Sequence, residues 1–339
     1  MLARRSNVKV EYQGVDISPE VNKDLLSFSY TDNASGEADS ISLVLKDEKK
    51  KWLENWFPEK GDIIVPKIET LNWRRNGDKQ LLPCGRFYVD QPSYEGRPSI
   101  INIGAVSTPL NSNFSGVNRS RVWNNISLKA IASDISRRVG LQLQYIGENN
   151  PLYKSKEQTE TPDSAFLFDL CQDEGLAMKI TDSKIVIFDE REFERRKSVA
   201  TYSEWSDNVI SYNFQSSLTN TGYAGVNVKY YDPIVGRTIE FLFAPETIDK
   251  EKDKIYQLNT KVSNRDEARR LAQRTLRKLN KKEVTGSVTV VGNVDLLGGC
   301  CVDLTDFGSF SGKYYIQSVS HVIPTYTNSL EIRKVLEGY

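Results

Sequence analysis

The sequence predicts a mainly β protein of the α+β class, in which a small α+β module lies between two β-rich domains. Three observations support this fold class. Short strand-like runs, separated by Gly, Pro, Asn and Asp, fill roughly the first hundred residues of the 339-residue chain. Apolar residues change to helical spacing between about residues 122 and 188, and strand-like runs then return. We therefore predict domains at residues 1–110, 111–198 and 199–339.

Period-two alternation predicts the strands of the N-terminal domain. In the run SISLVLK, the residues Ile41, Leu43 and Leu45 alternate with their neighbours, so one face of this strand should be buried. A short helix is expected next, through Trp52 and Trp56. The predicted strands cover residues 8–12, 25–30, 41–46, 63–68, 87–90 and 100–106.

Two helices and two strands are predicted in the central module. The first helix should stop at Gly140, because glycine suits the left-handed position after a helix. The second helix should begin at Thr161 and Pro162, where threonine can cap and proline fits the first turn. Strands at residues 177–181 and 185–189 follow. The first helix is recognised from Ile126, Leu128, Ile131, Ile135 and Val139.

A charged stretch at residues 189–197 is interpreted as a solvated connector between domains. Strands are predicted after it at residues 209–215, 226–231 and 239–243. A long helix at residues 264–281 follows, and further strands complete the chain. The helix has an apolar stripe formed by Ala268, Leu271, Ala272, Thr275, Leu276 and Leu279.

The other faces of this long helix are basic. They favour a solvated surface or a protein interface over nucleic-acid binding, because no glycine-rich phosphate loop or set of stacking aromatics accompanies them. No specific nucleic-acid binding is therefore predicted. The basic residues are Arg265, Arg269, Arg270, Arg274, Arg277, Lys278, Lys281 and Lys282.

The composition of the chain limits the kinds of partner it is expected to bind and the compartments in which it is expected to work. Lys plus Arg and Asp plus Glu each total 45, so the formal charge is zero and any electrostatic partner must meet a local patch. No run of about 18 apolar residues and no signal-peptide pattern is present, so neither a membrane span nor secretion is expected. The cysteines lack metal-ligand spacing, and the adjacent Cys300 and Cys301 should be one buried and one exposed thiol rather than a disulfide.

The residues needed for catalysis are scarce. His321 is the only histidine, which excludes a His-rich zinc site, and no GxSxG motif marks a nucleophile. His321 lies in a strand-like run and is interpreted as structural. Candidate acids for a paired-carboxylate hydrolase lie in or beside the second helix, where solvated or capping roles suffice. These acids are Glu157, Glu160, Asp163, Asp169, Asp173 and Glu174. No catalytic, cofactor-binding or metal-binding residue is predicted.

A β-rich protein that binds surface glycan is a second alternative to a structural role. Tryptophan rings can stack on sugars, although tryptophans are more often buried in a core. The tryptophans concerned are Trp52, Trp56, Trp73, Trp123 and Trp205.

Two stretches resemble the phage late control gene D proteins, which form the central hub of contractile tail baseplates. Residues 158–176 read QTETPDSAFLFDLCQDEGL and are similar to a conserved segment of that family, with Pro162 interrupting its usual Thr-Asp pair. The C-terminal unit reads GSVTVVG (286–292), LGGCCVDL (297–304), GKYYIQSVSH (312–321) and YTNSLEI (326–332), in the family's order. Cys300 and Cys301 replace less reactive residues.

This resemblance implies a structural hub and not an enzyme. Domains 1–110 and 199–339 would be two tail-tube-like β-barrel or sandwich domains, and three copies would form a ring that adapts a six-fold tail tube to a three-fold spike. The implied partners are the chain itself, a tube or tube-initiator protein, a separate spike protein, other baseplate proteins and the tape measure. Such a protein is made in the bacterial cytoplasm and released by lysis. The alternatives are a tail-associated peptidoglycan hydrolase and the glycan-binding tail protein.

Overall fold

The computed structural model describes residues 2–109, 113–219, 221–233, 236–249, 251–262 and 264–338. Over these residues the protein is mainly β, with a short helix near the N-terminus and further helices in the middle and towards the C-terminus, and the predicted fold class is confirmed. Residues 110–112 lie outside the described ranges, so the predicted boundary at residue 110 stays a prediction, as does the one at residue 198.

The N-terminal strands form an antiparallel sheet around an aliphatic and aromatic core. Ile41, Leu43 and Leu45 are buried, as their alternation predicts. Trp52 and Trp56 lie in turns and not in the expected helix. The strands are β1 (Arg5–Tyr12), β2 (Val15–Asp16), β3 (Leu25–Asn33), β4 (Ser40–Lys46), β5 (Ile63–Leu71), β6 (Lys79–Pro83), β7 (Phe87–Glu95) and β8 (Ile100–Val106), and a helix that the sequence analysis missed, α1, covers Ser18–Asp24.

The central module packs two helices beside a three-stranded sheet and a two-stranded ribbon. The first helix is capped by the Ser127 hydroxyl and ends at Gly140, whose φ is 74°. Thr161 lies in a strand, so Pro162 and not Thr161 is the N-cap of the second helix. The elements are β9 (Asn118–Ser127), α2 (Leu128–Val139), β10 (Gln142–Ile146), β11 (Leu152–Pro162), α3 (Asp163–Asp173), β12 (Ala177–Thr181), β13 (Lys184–Phe188) and α4 (Glu190–Arg195).

The C-terminal region contains two separate packing units. Strands β14 (Ala200–Ser203), β15 (Val209–Ser216), β19 (Val284–Val291), β20 (Cys301–Thr305), β21 (Gly312–Ile323) and β22 (Thr327–Lys334) enclose one core. Strands β16 (Gly225–Asp232), β17 (Arg237–Phe243) and β18 (Ile255–Asn259) form a sheet covered by helix α5 (Arg265–Asn280). This second unit is inserted between β15 and β19, and the sequence analysis had not separated it.

The two β-rich regions share one sheet. β21 pairs antiparallel with β3, from Ser318 opposite Asn33 to Ile323 opposite Phe28. The resulting fourteen-stranded sheet runs from β15 through β21 and β3 to β1 and β2. Gly298 lies against the backbone of residues 32–34, and a Cβ atom there would be 2.7 Å from the Ala34 nitrogen. Glycine is therefore required where the two regions meet.

The charged stretch after the module is not a solvated connector, and that interpretation was wrong. It forms α4, which places Glu190 and Glu194 in the interior. Glu194 pairs with Arg277 of α5 and with Arg333 of β22, and Glu190 pairs with Lys281 and, at 3.1 Å, with Arg333. We call these five residues the buried ion network. Two carboxylates and three cations thus join α4, α5 and the central strand β22.

A second buried cluster joins the module to β3. Lys179 of β12 pairs with Asp32 and, at 3.3 Å, with Asp39. Burial raises the pKa of Asp39 to about 6, although Lys179 opposes this shift. The module is therefore held against the large sheet by charges that water reaches poorly.

We expect Arg333→Met to destabilise the protein by about 3–5 kcal/mol, because it leaves Glu190 and Glu194 short of a buried partner. The measurement is the free energy of unfolding in urea. The matched control is Arg237→Met on the exposed start of β17, which should change stability by less than about 0.5 kcal/mol. Equal effects of the two substitutions would contradict a stabilising role for the network.

Candidate assembly surface

His321 is a buried structural residue. Its Nδ1 lies 3.0 Å from the Tyr326 hydroxyl and 2.8 Å from the Asn328 amide, and its Nε2 lies 3.0 Å from the Leu296 carbonyl. Burial lowers the pKa of His321 to about 4. The ring nitrogens are thus occupied by local hydrogen bonds, which supports the structural interpretation.

The candidate acids do not come together as a catalytic pair. Asp163 is buried, where it accepts hydrogen bonds from Arg138 and Gln158 and lies 3.4 Å from Arg119. Glu174 is paired with Arg274 of α5. Asp163 is therefore ion-paired in the interior rather than solvated. The remaining acids, Glu157, Glu160, Asp169 and Asp173, are exposed.

The tryptophans and cysteines also serve mainly in packing. Trp52 and Trp123 are buried, whereas Trp205 is 80% exposed. All four cysteines are free, Cys301 is buried and Cys300 is half-buried, and burial raises the pKa of both thiols. Among the described residues, no group of three or more His, Cys, Asp or Glu is placed to hold a metal ion. No described helix is long and apolar enough to cross a membrane.

The basic residues of α5 divide into two groups: five are exposed, as the solvated alternative expects, and three are buried or half-buried. Arg274, Arg277 and Lys281 form ion pairs with Glu174, Glu194 and Glu190, respectively. The protein-interface alternative therefore applies to these three residues, but the interface is within the chain: this part of α5 packs against the central module, including α4.

Strand β15 is an open edge of the fourteen-stranded sheet. It pairs only with β19 in the described part of the chain. Its sequence, VISYNFQS, contains no charged residue and no proline, and most of its side chains are exposed. Uncharged edge strands of this length are templates for pairing with another chain.

The hydrogen-bond alternation shows which backbone groups of β15 face outward. The Ser217 N–H donates to the Glu283 carbonyl directly opposite it, at 2.9 Å. In an antiparallel ladder, bonded and non-bonded pairs alternate along the strand. The backbone groups of Tyr212, Phe214 and Ser216 therefore point away from β19, toward the open edge.

Apolar side chains surround this edge. Ile210 is 55% exposed, Leu218 is 69% exposed, and Trp205 lies just before the strand. Beside β15, an opening of about 380 Å³ is lined by Tyr212, Phe214 and further aromatic residues. We call β15 with Trp205 and Leu218 the edge surface. Such a combination of free backbone and apolar side chains is typical of protein interfaces.

Other edges of the fourteen-stranded sheet are better protected. The N–H and carbonyl of Val8 in β1 are bonded by the Asn22 side chain of α1, and the Val10 N–H by the Ser18 hydroxyl. Strands β2 and β14 span two and four residues, and β6 contains Lys79 and Pro83. Short strands, lysine and proline all discourage edge pairing. Among the described edges of this sheet, the edge surface is therefore the one least protected against pairing with another chain.

Two phage proteins with the same name are similar to this chain in sequence. The probable baseplate hub protein of Escherichia phage 186 is 25% identical over 172 residues, and that of Escherichia phage P2 is 23% identical over 182 residues. Each match covers 50% of this chain and 42% of the relative, so less than half of either relative is matched. No family model matches the chain.

Solved structures share the fold over nearly the whole chain. A 43 kDa tail protein of prophage MuSo2 from Shewanella oneidensis has a TM-score of 0.71 at 14% identity, covering 97% of this chain and 98% of its own. A tail protein from Neisseria meningitidis has the same TM-score at 12% identity, with 97% of both chains covered. An Escherichia coli component of the type VI secretion system, described as similar to the bacteriophage T4 tail proteins gp27 and gp5, has a TM-score of 0.60 at 12% identity and covers 98% of this chain and 78% of its own.

The fold is thus that of phage tail and type VI secretion proteins. The resemblance to the baseplate hub family, which the two sequence motifs indicated, is confirmed. These relatives and structural neighbours carry the names of baseplate, tail and secretion-system proteins.

We expect His321 to make stability depend on pH between about 6.5 and 4. Its pKa is about 4 when folded and 6.5 when solvated, so the unfolded chain binds the proton first and stability falls as pH drops through this window. The loss should approach about 3 kcal/mol. Urea unfolding at several pH values should show a shallower dependence in His321→Gln than in the unmodified protein. Identical slopes would show that His321 is not buried and neutral.

Proposed function

We propose that this protein is the central hub of a contractile tail baseplate, in which three copies form a ring between a six-fold tail tube and a three-fold spike. The edge surface is the single structural observation that carries the proposal of a ring. An open edge that pairs with a different surface on the next copy gives a head-to-tail contact, and such contacts form a ring of three when each copy is rotated by one third of a turn. The fold, which is shared with phage tail proteins, supports the proposal that this ring belongs to a tail baseplate.

The two β-rich regions are proposed to act as the tube-like domains, residues 1–110 and 199–339. Their union in one sheet through β3 and β21 fixes their relative position within a copy. Three copies would then present six similar domains toward the tube, and three-fold symmetry toward the spike. This arrangement resolves the symmetry mismatch by duplication and requires no catalytic chemistry.

The proposed partners follow from that position. They are a second and third copy of the chain, the tube or tube-initiator protein, a separate spike protein, other baseplate proteins and the tape measure. We also propose that the protein is made in the cytoplasm and released with the particle by lysis. The hydrolase alternative lacks support in the described residues, since the acids that could serve it are exposed or already paired.

We expect deletion of the gene to abolish assembled tails in induced lysates of the producing strain, and a copy supplied in trans to restore them. A hub is needed when tail assembly starts, so its loss should remove whole tails rather than shorten them. Electron microscopy of the lysates is the measurement. Normal full-length tails without the gene would refute the hub and return the hydrolase and glycan-binding alternatives.

We expect Ser216→Pro to weaken the trimer at least about tenfold, because the Ser216 N–H faces the open edge and proline removes it without breaking the β15–β19 ladder. Light scattering after size-exclusion chromatography gives the oligomeric mass. Ser216→Ala keeps the N–H and should remain trimeric. An intact trimer in Ser216→Pro would exclude β15 from the contact between copies.

A further inference from the structure

A large cavity lies where the module, α5 and the main sheet meet. Its volume is about 730 Å³, and its walls come from α3 and β12 on one side and from α5, β21 and β22 on the other. The cavity is open to solvent at its rim, where Lys278 and Lys282 are exposed. Neither the proposed ring nor the fold comparisons assign a role to this place.

The cavity carries an excess of positive charge. Three carboxylates pair with its basic residues, namely Glu174, Glu190 and Glu194. Six cations line the cavity, so among the described residues they outnumber these three paired carboxylates by three. The six lining cations are Arg274, Arg277, Lys278, Lys281, Lys282 and Arg333.

The buried polar groups left over around this cavity are donors. Within the described residues, the Nη1 of Arg333 and the hydroxyl of Tyr315 have no hydrogen-bond partner, and both side chains are about 1% exposed. Among the described residues, the buried Nε of Arg274 also has no hydrogen-bond partner. A buried donor without an acceptor costs about 1–3 kcal/mol, so the walls favour an occupant rich in acceptor oxygens.

The pKa of Lys281 reflects the excess of positive charge in the cavity. Burial lowers its pKa, and although Glu190 opposes this change, the neighbouring Arg333 and Arg277 lower the pKa further. The positive charges therefore repel one another across the cavity. An anion that entered would reduce this repulsion and tighten the contact between α5 and the rest of the molecule.

We propose that this cavity binds a multivalent phosphate-type anion, with the pyrophosphate group as its simplest form. Donors approach from three elements: α5 with its lysines and Arg274, β22 with Arg333, and β21 with Tyr315. Tetrahedral phosphate oxygens accept hydrogen bonds from several directions at once, whereas a single carboxylate accepts them mainly in one plane. The cavity is also larger than one phosphate requires, which favours an anion of two or more linked groups.

The test uses the full-length protein with sodium pyrophosphate as the probe, and sodium chloride at equal ionic strength as the reference. Isothermal titration calorimetry gives the dissociation constant, and thermal unfolding should show a Tm increase beyond that of the chloride reference. The double variant Lys278→Gln, Lys282→Gln should raise the dissociation constant at least about tenfold, since it removes two charge-assisted contacts at the exposed rim. Tyr315→Phe should weaken binding by a smaller factor.

The matched control is Lys229→Gln, Lys261→Gln, which changes two lysines on the distant sheet of β16–β18 and should leave pyrophosphate binding unchanged. Three outcomes would overturn the proposal: no heat and no Tm increase beyond chloride, equal affinity in the rim and control variants, or tighter binding of a tetraglutamate peptide than of pyrophosphate. The last result would assign the cavity to an acidic protein segment instead. Because no residue of β15 lines the cavity, failure here leaves the proposed ring untouched.

Discussion

The buried ion network is the interaction on which the rest of the structure depends. Arg333 lies on β22, an interior strand of the fourteen-stranded sheet, while its carboxylate partners lie on α4, at the end of the module. Arg277 and Lys281 bring in α5 from the inserted unit. Buried charges tolerate the loss of a partner poorly, so the three elements must keep one relative position. The network thus makes a single body from parts that have separate hydrophobic cores.

The continuous sheet imposes the second constraint. Because β3 and β21 share a ladder, the N-terminal and C-terminal strands cannot move apart without losing main-chain hydrogen bonds. The same sheet ends at β15, and the chain protects other edges with α1, with short strands or with lysine and proline. An edge that is long, uncharged and surrounded by Trp205, Ile210 and Leu218 can pair with other chains, and in the proposed ring the next copy would cover it.

Groups that could support chemistry are used for structure instead. His321 is fixed by Tyr326 and Asn328, and Asp163 by Arg138 and Gln158. These contacts give the histidine and the acid of the two motif stretches a role in holding the fold. The YYIQSVSH run is a central strand, and the acid anchors α3 to α2 and β11. The resemblance was therefore carried by residues that maintain the fold.

The sequence by itself determined elements whose signal is local. Alternation gave β4, helical spacing gave α2 and α5, and the ordered motifs gave the family resemblance. Three features are visible only in the tertiary structure. The charged stretch forms α4 with buried carboxylates, β16–β18 with α5 form an inserted unit, and β3 pairs with β21. The physical reason is sequence separation: Glu194 finds Arg277 and Arg333 at distances of 83 and 139 residues along the chain, and no local pattern shows whether a charge will be solvated or paired. Whether a charged residue is buried depends on partners that are distant along the chain.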